Sequence, residues 1–276
     1  MLAFAGNSLL CRLALKHTAI DPASFTAIRL IAGAIMLWLI VKARRDVPPA
    51  NGNWISAFAL FAYAAGFSFA YVSLSAGTGA LLLFGAVQTT MIGYGIWKGE
   101  RLTGIQFIGL VLAFGGLIGL VLPGISAPPL PGALLMLLAG VAWGAYSLRG
   151  KGSGDATMVT AGNFLRAVPI TLILSLSMFS YATVDTAGSL YAIASGALAS
   201  GVGYAIWYTA LPSLKNTVAA TVQLSVPVIA ALGGIILLGE PMSLRLVLAS
   251  LAVLGGIALV ILKKRDTAGI SYDAGR

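Results

Sequence analysis

Long apolar tracts, broken by short clusters of turn residues and charges, make up almost the whole chain. Between Asp46 and Lys98 lie 51 uncharged residues, and between Arg101 and Arg149 another 47. A membrane-crossing helix needs about 20 apolar residues, so each tract must fold back on itself. The fold-back points are visible as "SAGTG" at 75–79 and "PGISAPPLPG" at 123–132, both rich in turn and helix-stopping residues. Extended along the chain, this pattern predicts ten spans, at 1–15, 22–41, 53–75, 78–97, 102–122, 132–149, 156–181, 187–211, 216–238 and 242–262. Helices are expected, because a bilayer leaves backbone groups unsatisfied unless each segment bonds internally, and barrel strands would alternate in character.

A longer period overlies the short one. "IWKGERLTG" at 96–104 and "LLGEPMSLR" at 237–245 place a Gly-Glu pair at Gly99-Glu100 and again at Gly239-Glu240, 140 residues apart. At that offset "AFGGLIGLVL" (113–122) falls on "VLGGIALVIL" (253–262), and Thr103 on Ser243. Upstream, allowing a three-residue insertion near Lys215, Arg29 meets Arg166, Gly66 meets Gly203, Phe67 meets Tyr204, Tyr71 meets Tyr208 and Leu74 meets Leu211. The chain therefore divides into a first five-helix repeat at 1–128, a second at 129–265 and a tail at 266–276. Five is odd, so the second copy enters the membrane from the opposite side. The expected fold is an all-α integral membrane protein of ten transmembrane helices, two inverted five-helix repeats around a central cavity. Locally each Gly-Glu pair reads as punctuation, the glycine ending one helix and Thr103 or Ser243 capping the next.

Composition agrees with the span pattern: 59% of residues are hydrophobic and 9% charged, against about 25% charged in soluble domains. The net charge of +9 follows from topology. Lys42, Arg44, Arg45, Lys98, Arg101, Arg149, Lys151, Lys215, Lys263, Lys264, Arg265 and Arg276 fall in alternate loops and the tail, whereas the other side has Lys16, with Arg12 and Arg245 near it. Short cytoplasmic loops retain Lys and Arg, which puts both termini in the cytoplasm. The charges are spread over separate loops, so no nucleic-acid partner is expected. A lone Cys11 excludes an intramolecular disulfide. The abrupt first span suggests that the chain starts late, with a cleaved signal peptide as the rival reading. Every acidic residue (Asp21, Asp46, Glu100, Asp155, Asp185, Glu240, Asp266 and Asp273) maps to a loop or the tail, and there is a single histidine, His17, in a short loop. That set offers no paired carboxylates, metal-ligand cluster or activated nucleophile. No enzyme, no metal and no cofactor are expected. Trp38, Trp54 and Trp97 fit an interfacial belt, and glycines crowd spans 5 and 10, which are expected at the periphery.

The two five-helix halves, the passages around Gly99-Glu100 and Gly239-Glu240, and "PVIAALGGIILLGEP" at 227–241 resemble the drug/metabolite transporter superfamily in its EamA branch. Within it the sequence is most similar to bacterial exporters of aromatic and neutral amino acids. The resemblance implies a secondary transporter of the bacterial inner membrane, working by alternating access, with a small-molecule substrate, lipid surroundings and a monomeric or weakly oligomeric state. The missing intramembrane acid points to uniport, since proton exchange usually needs an ionisable group inside the membrane. A proton-coupled antiporter of another metabolite or drug is the alternative, and a channel or a non-transporting scaffold lies in another class.

Candidate substrate-binding residues follow from face and repeat. Tyr63, Phe67 and Tyr71 stand at i, i+4 and i+8 on one helix face, and the repeat puts Ser200, Tyr204 and Tyr208 at the matching positions. Phe84, Gln88 and Met91 share a face of span 4, and Gln223 lies in span 9. Trp143 and Tyr146 in span 6 complete the set. Packing is the competing role for the rings, and glue between helices for the amides. Arg29 and Arg166 are costly inside a span. They are expected to hold the fold by bonding helix-end carbonyls; docking of a substrate carboxylate and snorkelling are the alternatives. The substrate expected from these residues is small, largely uncharged overall and partly apolar.

Overall fold

The computed structural model describes residues 1–44, 52–124, 126–150, 155–210, 214 and 222–270, without the side chains of Tyr208 and 262–270. Among these residues the chain is helical, with no strand. The order is α1 (Leu2–His17), α2 (Pro22–Ala43), α3 (Trp54–Tyr71), α4 (Ala76–Trp97), α5 (Gly104–Val121), α6 (Leu130–Gly150) and α7 (Ala156–Ser177). After a 3₁₀ turn at Phe179–Tyr181 comes α8 (Thr186–Ala194), which runs through a π-helical stretch at Ser195–Val202 into α9 (Gly203–Ala210). Helices α10 (Ser225–Leu238) and α11 (Leu244–Ile270) complete the order. Among the described residues eight segments are long and apolar enough to cross a membrane, with Thr186–Trp207 as one of them; Ser225–Leu238 is apolar but shorter.

Polar residues at helix starts explain most of the boundaries. Asp21, Asn53, Ser75, Thr103, Asp155 and Asp185 each accept a backbone N–H from the first turn that follows, satisfying donors that a helix N-terminus leaves open. Thr103 and Gln106 form a reciprocal capping box, and Ser243 Oγ accepts from Leu246 N at 3.1 Å. Gly99 and Gly239 have φ of +94° and +62°, the left-handed conformation in which glycine ends a helix. Both halves of the Gly-Glu punctuation thus behave as its sequence requires. "SAGTG" differs from expectation. Ser75 caps α4, whose first residue is Ala76, so Gly77 and Gly79 lie inside the helix instead of in a turn. Gly79 leaves room for the Tyr71 ring, and Gly77 for Ala231 of α10. Helix α7 stops at Ser177, short of the expected 181, and α11 continues past 262 to Ile270.

Helices α3 and α4 pack on α6, α2 packs on α7 and the π stretch, and α1 packs on α8, the π stretch and α10. Helix α5 packs chiefly on α11. There Gly109 faces the backbone of Gly256, and Gly116 faces Ala252 and Val253, so two glycine faces bring the backbones close. Large apolar side chains such as Phe107, Ile108, Leu248 and Leu251 point outward and are exposed, the arrangement expected of helices facing lipid.

Polar contacts gather at the two ends of the bundle. At one end Arg44 pairs with Asp155 at 3.3 Å, Arg149 Nε donates to Ser56 Oγ at 3.2 Å, and Asn53 N donates to Asn163 Oδ1 at 2.9 Å. At the other end Asp21 caps α2 and also accepts from Thr183 N at 3.0 Å. Burial opposes ionisation of Asp21, but hydrogen bonds from the Ser24 side chain and from Ser24, Thr183 and Ala23 N–H groups outweigh it and hold the carboxyl below its ordinary range. Glu240, placed in a loop by the sequence, does lie between two helices but is 6% exposed. Its Oε1 accepts from Arg12 Nε at 2.9 Å and its Oε2 from Ala76 N, at the start of α4, at 2.8 Å. Arg12 Nη1 in turn donates to the carbonyls of Tyr71 and Val72 at 2.8 and 3.0 Å. One ion pair therefore closes the end of α3 and the start of α4.

Candidate functional site

At the centre of the bundle four segments meet through side-chain hydrogen bonds. Arg29 of α2 is 1% exposed. Its Nη2 donates to Tyr63 Oη of α3 at 3.1 Å, and the guanidinium lies 5.2 and 4.8 Å from the ring centroids of Tyr63 and Phe67. Asn7 Nδ2 of α1 donates to the same Tyr63 oxygen at 3.3 Å. Ser195 Oγ, the first residue of the π stretch, donates to Asn7 Oδ1 at 2.6 Å. The Arg29 Nε and Nη1 groups and the Ser200 hydroxyl are buried without a hydrogen-bond partner among the described residues. The π stretch approaches α2 closely, because Gly196 packs directly on the Arg29 backbone.

Around this polar knot runs a file of aromatic rings. Tyr71, Phe67, Tyr63, Trp143 and Tyr146 follow one another with centroid separations of 4.7, 5.5, 4.8 and 5.3 Å. Tyr204 of α9 joins it at 5.2 Å from Trp143 and 5.9 Å from Phe164. The file ends in hydroxyls engaged near the two ends of the bundle. Tyr71 Oη donates to Ala76 O at 3.3 Å, and Tyr146 Oη donates to Thr160 Oγ1 and accepts from Asn163 Nδ2, both at 3.4 Å. A small recess beside Tyr146 is bordered by Ser56, Arg149, Thr160 and Asn163.

Of the residues singled out from the sequence, Tyr63, Phe67, Tyr71, Trp143, Tyr146 and Tyr204 come together in this file, and Ser200 is buried on the π stretch. Phe84 and Gln88 are buried on α4, and Met91 is partly buried against the same core. Gln223 is half-buried just before α10, and the Tyr208 side chain lies outside the described residues. The two arginines separate. Arg166 Nη1 bonds the Gly162 carbonyl of its own helix at 3.0 Å and is partly buried. Arg29 takes a phenol and two ring faces in place of the helix-end carbonyls expected for it, a role that Arg12 fills instead. Asn7, Ser195 and Phe164 were missed. Asn7 carried a usable signal: an amide inside an apolar span needs a partner, the argument already applied to Gln88 and Gln223.

The EamA-like transporter family matches the chain over residues 1–122 and 130–262. An uncharacterized protein of Pseudomonas aeruginosa is 61% identical over 262 residues, 95% of this chain and 91% of that protein. An uncharacterized transporter of Archaeoglobus fulgidus is 27% identical over 91% of this chain and 93% of its own. The uncharacterized transporter YoaV of Bacillus subtilis is 23% identical over 86% of each. A solved crystal structure, 19% identical, superposes with a TM-score of 0.66 over 96% of this chain and 98% of its own, which shows a shared fold. With both halves of the chain matched and its apolar helices long enough to cross a bilayer, the protein is a multi-pass membrane protein belonging to the EamA-like transporter family.

Proposed function

We propose that the protein is a secondary transporter of the bacterial inner membrane that exports small metabolites, aromatic and neutral amino acids foremost, as a uniporter. The observation that carries this reading is the file of rings from Tyr71 to Tyr146, joined by Tyr204. Residues from both halves of the chain meet there, and the file runs between the two polar ends. Such a file closes a path with apolar surface and can part to admit a planar, partly apolar solute. Tyr63, Phe67, Tyr71, Trp143, Tyr146, Ser200 and Tyr204 line the path in this proposal, with Phe84, Gln88, Met91, Tyr208 and Gln223 beside it.

Alternating access between inverted repeats is part of the same reading. Two family matches and the helix pairings support it. Exchanging the halves turns the α3–α6 contact into that of the α8–π segment with α1, turns α4–α6 into α10–α1, and leaves α2–α7 and α5–α11 as pairs across the halves. In this scheme α1 and α10 complete ten spans, and Arg44 and Arg149 mark the cytoplasmic end with both termini. Uniport rests on the acids: Asp21, Asp155 and Asp185 cap helices, and Glu240 closes α4 beside Arg12. Counterflow into liposomes holding purified protein, with a panel of amino acids, nucleosides, sugars and organic cations, tests the proposal. Saturable exchange of aromatic and neutral amino acids is the expected result; exchange confined to another class would reject it.

A further inference from the structure

We propose that Arg29 is the anion-binding point of this central site, and that the solutes it takes carry a carboxylate and have no need of an ammonium group. The inference rests on the reading of the centre as a substrate path and goes beyond it by naming the group recognised. Three observations point the same way. The guanidinium is almost fully buried, and its Nε and Nη1 donors have no partner among the described residues. Tyr63 Oη accepts from both Arg29 and Asn7, which engages both of its lone pairs and leaves its own hydrogen to be donated. The guanidinium faces the Tyr63 and Phe67 rings and forms no ion pair among the described residues, while the ion pairs of Arg12 and Arg44 lie at the bundle ends.

The knot therefore holds one positive charge and a surplus of donors in a place where an unpaired charge is costly. Arg29 presents a planar fork that matches two carboxylate oxygens, and the Tyr63 hydroxyl beside it is a further donor. The rings of Phe67, Trp143 and Tyr204 supply a surface for an apolar body. Among the described residues no carboxylate pairs with Arg29, so an ammonium ion finds no partner there and the deaminated analogue should be held at least as well as the amino acid.

The test is thermal stabilisation of the full chain in lipid nanodiscs by matched solutes: phenylalanine, 3-phenylpropanoate, phenylalaninamide, hexanoate and hexanamide. Phenylalanine and hexanoate are each expected to act at a concentration about tenfold or more below that of the matching amide, and 3-phenylpropanoate at least as low as phenylalanine, given that hydrogen bonds to charged groups are among the strong ones. Stabilisation by the amides equal to that by the acids, or by no acid at all, overturns the proposal. Phenylalanine acting where 3-phenylpropanoate does not overturns the part concerning ammonium. Stabilisation by hexanoate without either aromatic acid upholds the carboxylate site and rejects the aromatic reading of the proposed function. Arg29→Gln should bring acid and amide to parity. Should that variant fail to fold, Tyr63→Phe, which removes one hydroxyl, should weaken the acids several-fold and by more than the amides, since the bond lost is to a charged acceptor; an unaltered acid preference in Tyr63→Phe counts against the site.

Discussion

At the scale of single residues, the central contact between α2 and the π stretch depends on the absence of one methyl group. A Cβ on Gly196 would strike the Arg29 carbonyl and meet Ala32 Cβ at 3.0 Å, whereas one on Gly255 meets nothing within 4 Å. Gly196→Ala should therefore lower stability by about 1–3 kcal/mol through overpacking. Gly255→Ala should leave it unchanged or raise it by up to about 1 kcal/mol through helix propensity. Thermal unfolding of the two variants in detergent, side by side, checks this. The same scale shows what a sequence can reveal of a site. Tyr63, Phe67 and Tyr71 were legible because their spacing is a property of one helix. Asn7 could be noticed as an amide in an apolar span, but its partner Ser195 could not, because their hydrogen bond joins residues 188 positions apart and no periodicity encodes it. The repeat also treated Arg29 and Arg166 as equals, although their neighbours differ: Tyr63 faces one, and the Gly162 carbonyl the other.

Between elements, charge acts mostly at helix ends. The Arg12–Glu240 pair joins α1, the end of α3, the start of α4 and the turn before α11. Glu240→Gln keeps an acceptor for Ala76 N but leaves Arg12 uncompensated, and removing one member of a buried pair typically costs about 3–5 kcal/mol. A fall of that order in unfolding free energy is expected, partly recovered by also replacing Arg12 with an apolar residue such as Met, which removes the uncompensated charge but also the bonds to the Tyr71 and Val72 carbonyls; a double-mutant cycle measures it. Asp21 gives an acid-dependent counterpart. Its carboxyl lies below the ordinary range in the folded chain, so its contribution is fully present above the unfolded value of about 4 and is lost as pH falls through the lower folded value. The melting temperature of wild type should drop in that acid window by more than that of Asp21→Asn, and equal slopes would refute the assignment. Helix starts were readable in advance because caps are local. The α4 boundary was misjudged because "SAGTG" reads as a turn, and only the Tyr71 ring and Ala231 on neighbouring helices explain glycines inside the helix.

For the whole molecule, the predictions concern what drives it. With Asp21, Asp155, Asp185 and Glu240 engaged at helix ends, a pH difference of two units across liposomes holding equal substrate should produce no net accumulation. Uphill movement abolished by a protonophore would exclude uniport. Membrane potential should act differently on the two kinds of solute that Arg29 is proposed to hold. A zwitterion moves no net charge, but a monoanion gains about 2.3 kcal/mol per 100 mV on leaving a negative interior, a ratio of about fifty. The 140-residue offset is a signal spread over the whole chain, yet no sequence signal marked the π-helical turns at Ser195–Val202, whose small residues suit several helical forms. Those turns hold more residues than α-helical ones. Tightening one of them by a single residue would turn α9 by about 100° and shift it by about 1.5 Å along its axis, while the Asp185 cap stayed in place. Tyr204 would then swing away from Trp143, so this helix contains its own screw thread, able to part the rings at the centre without any rigid-body movement of its outer end.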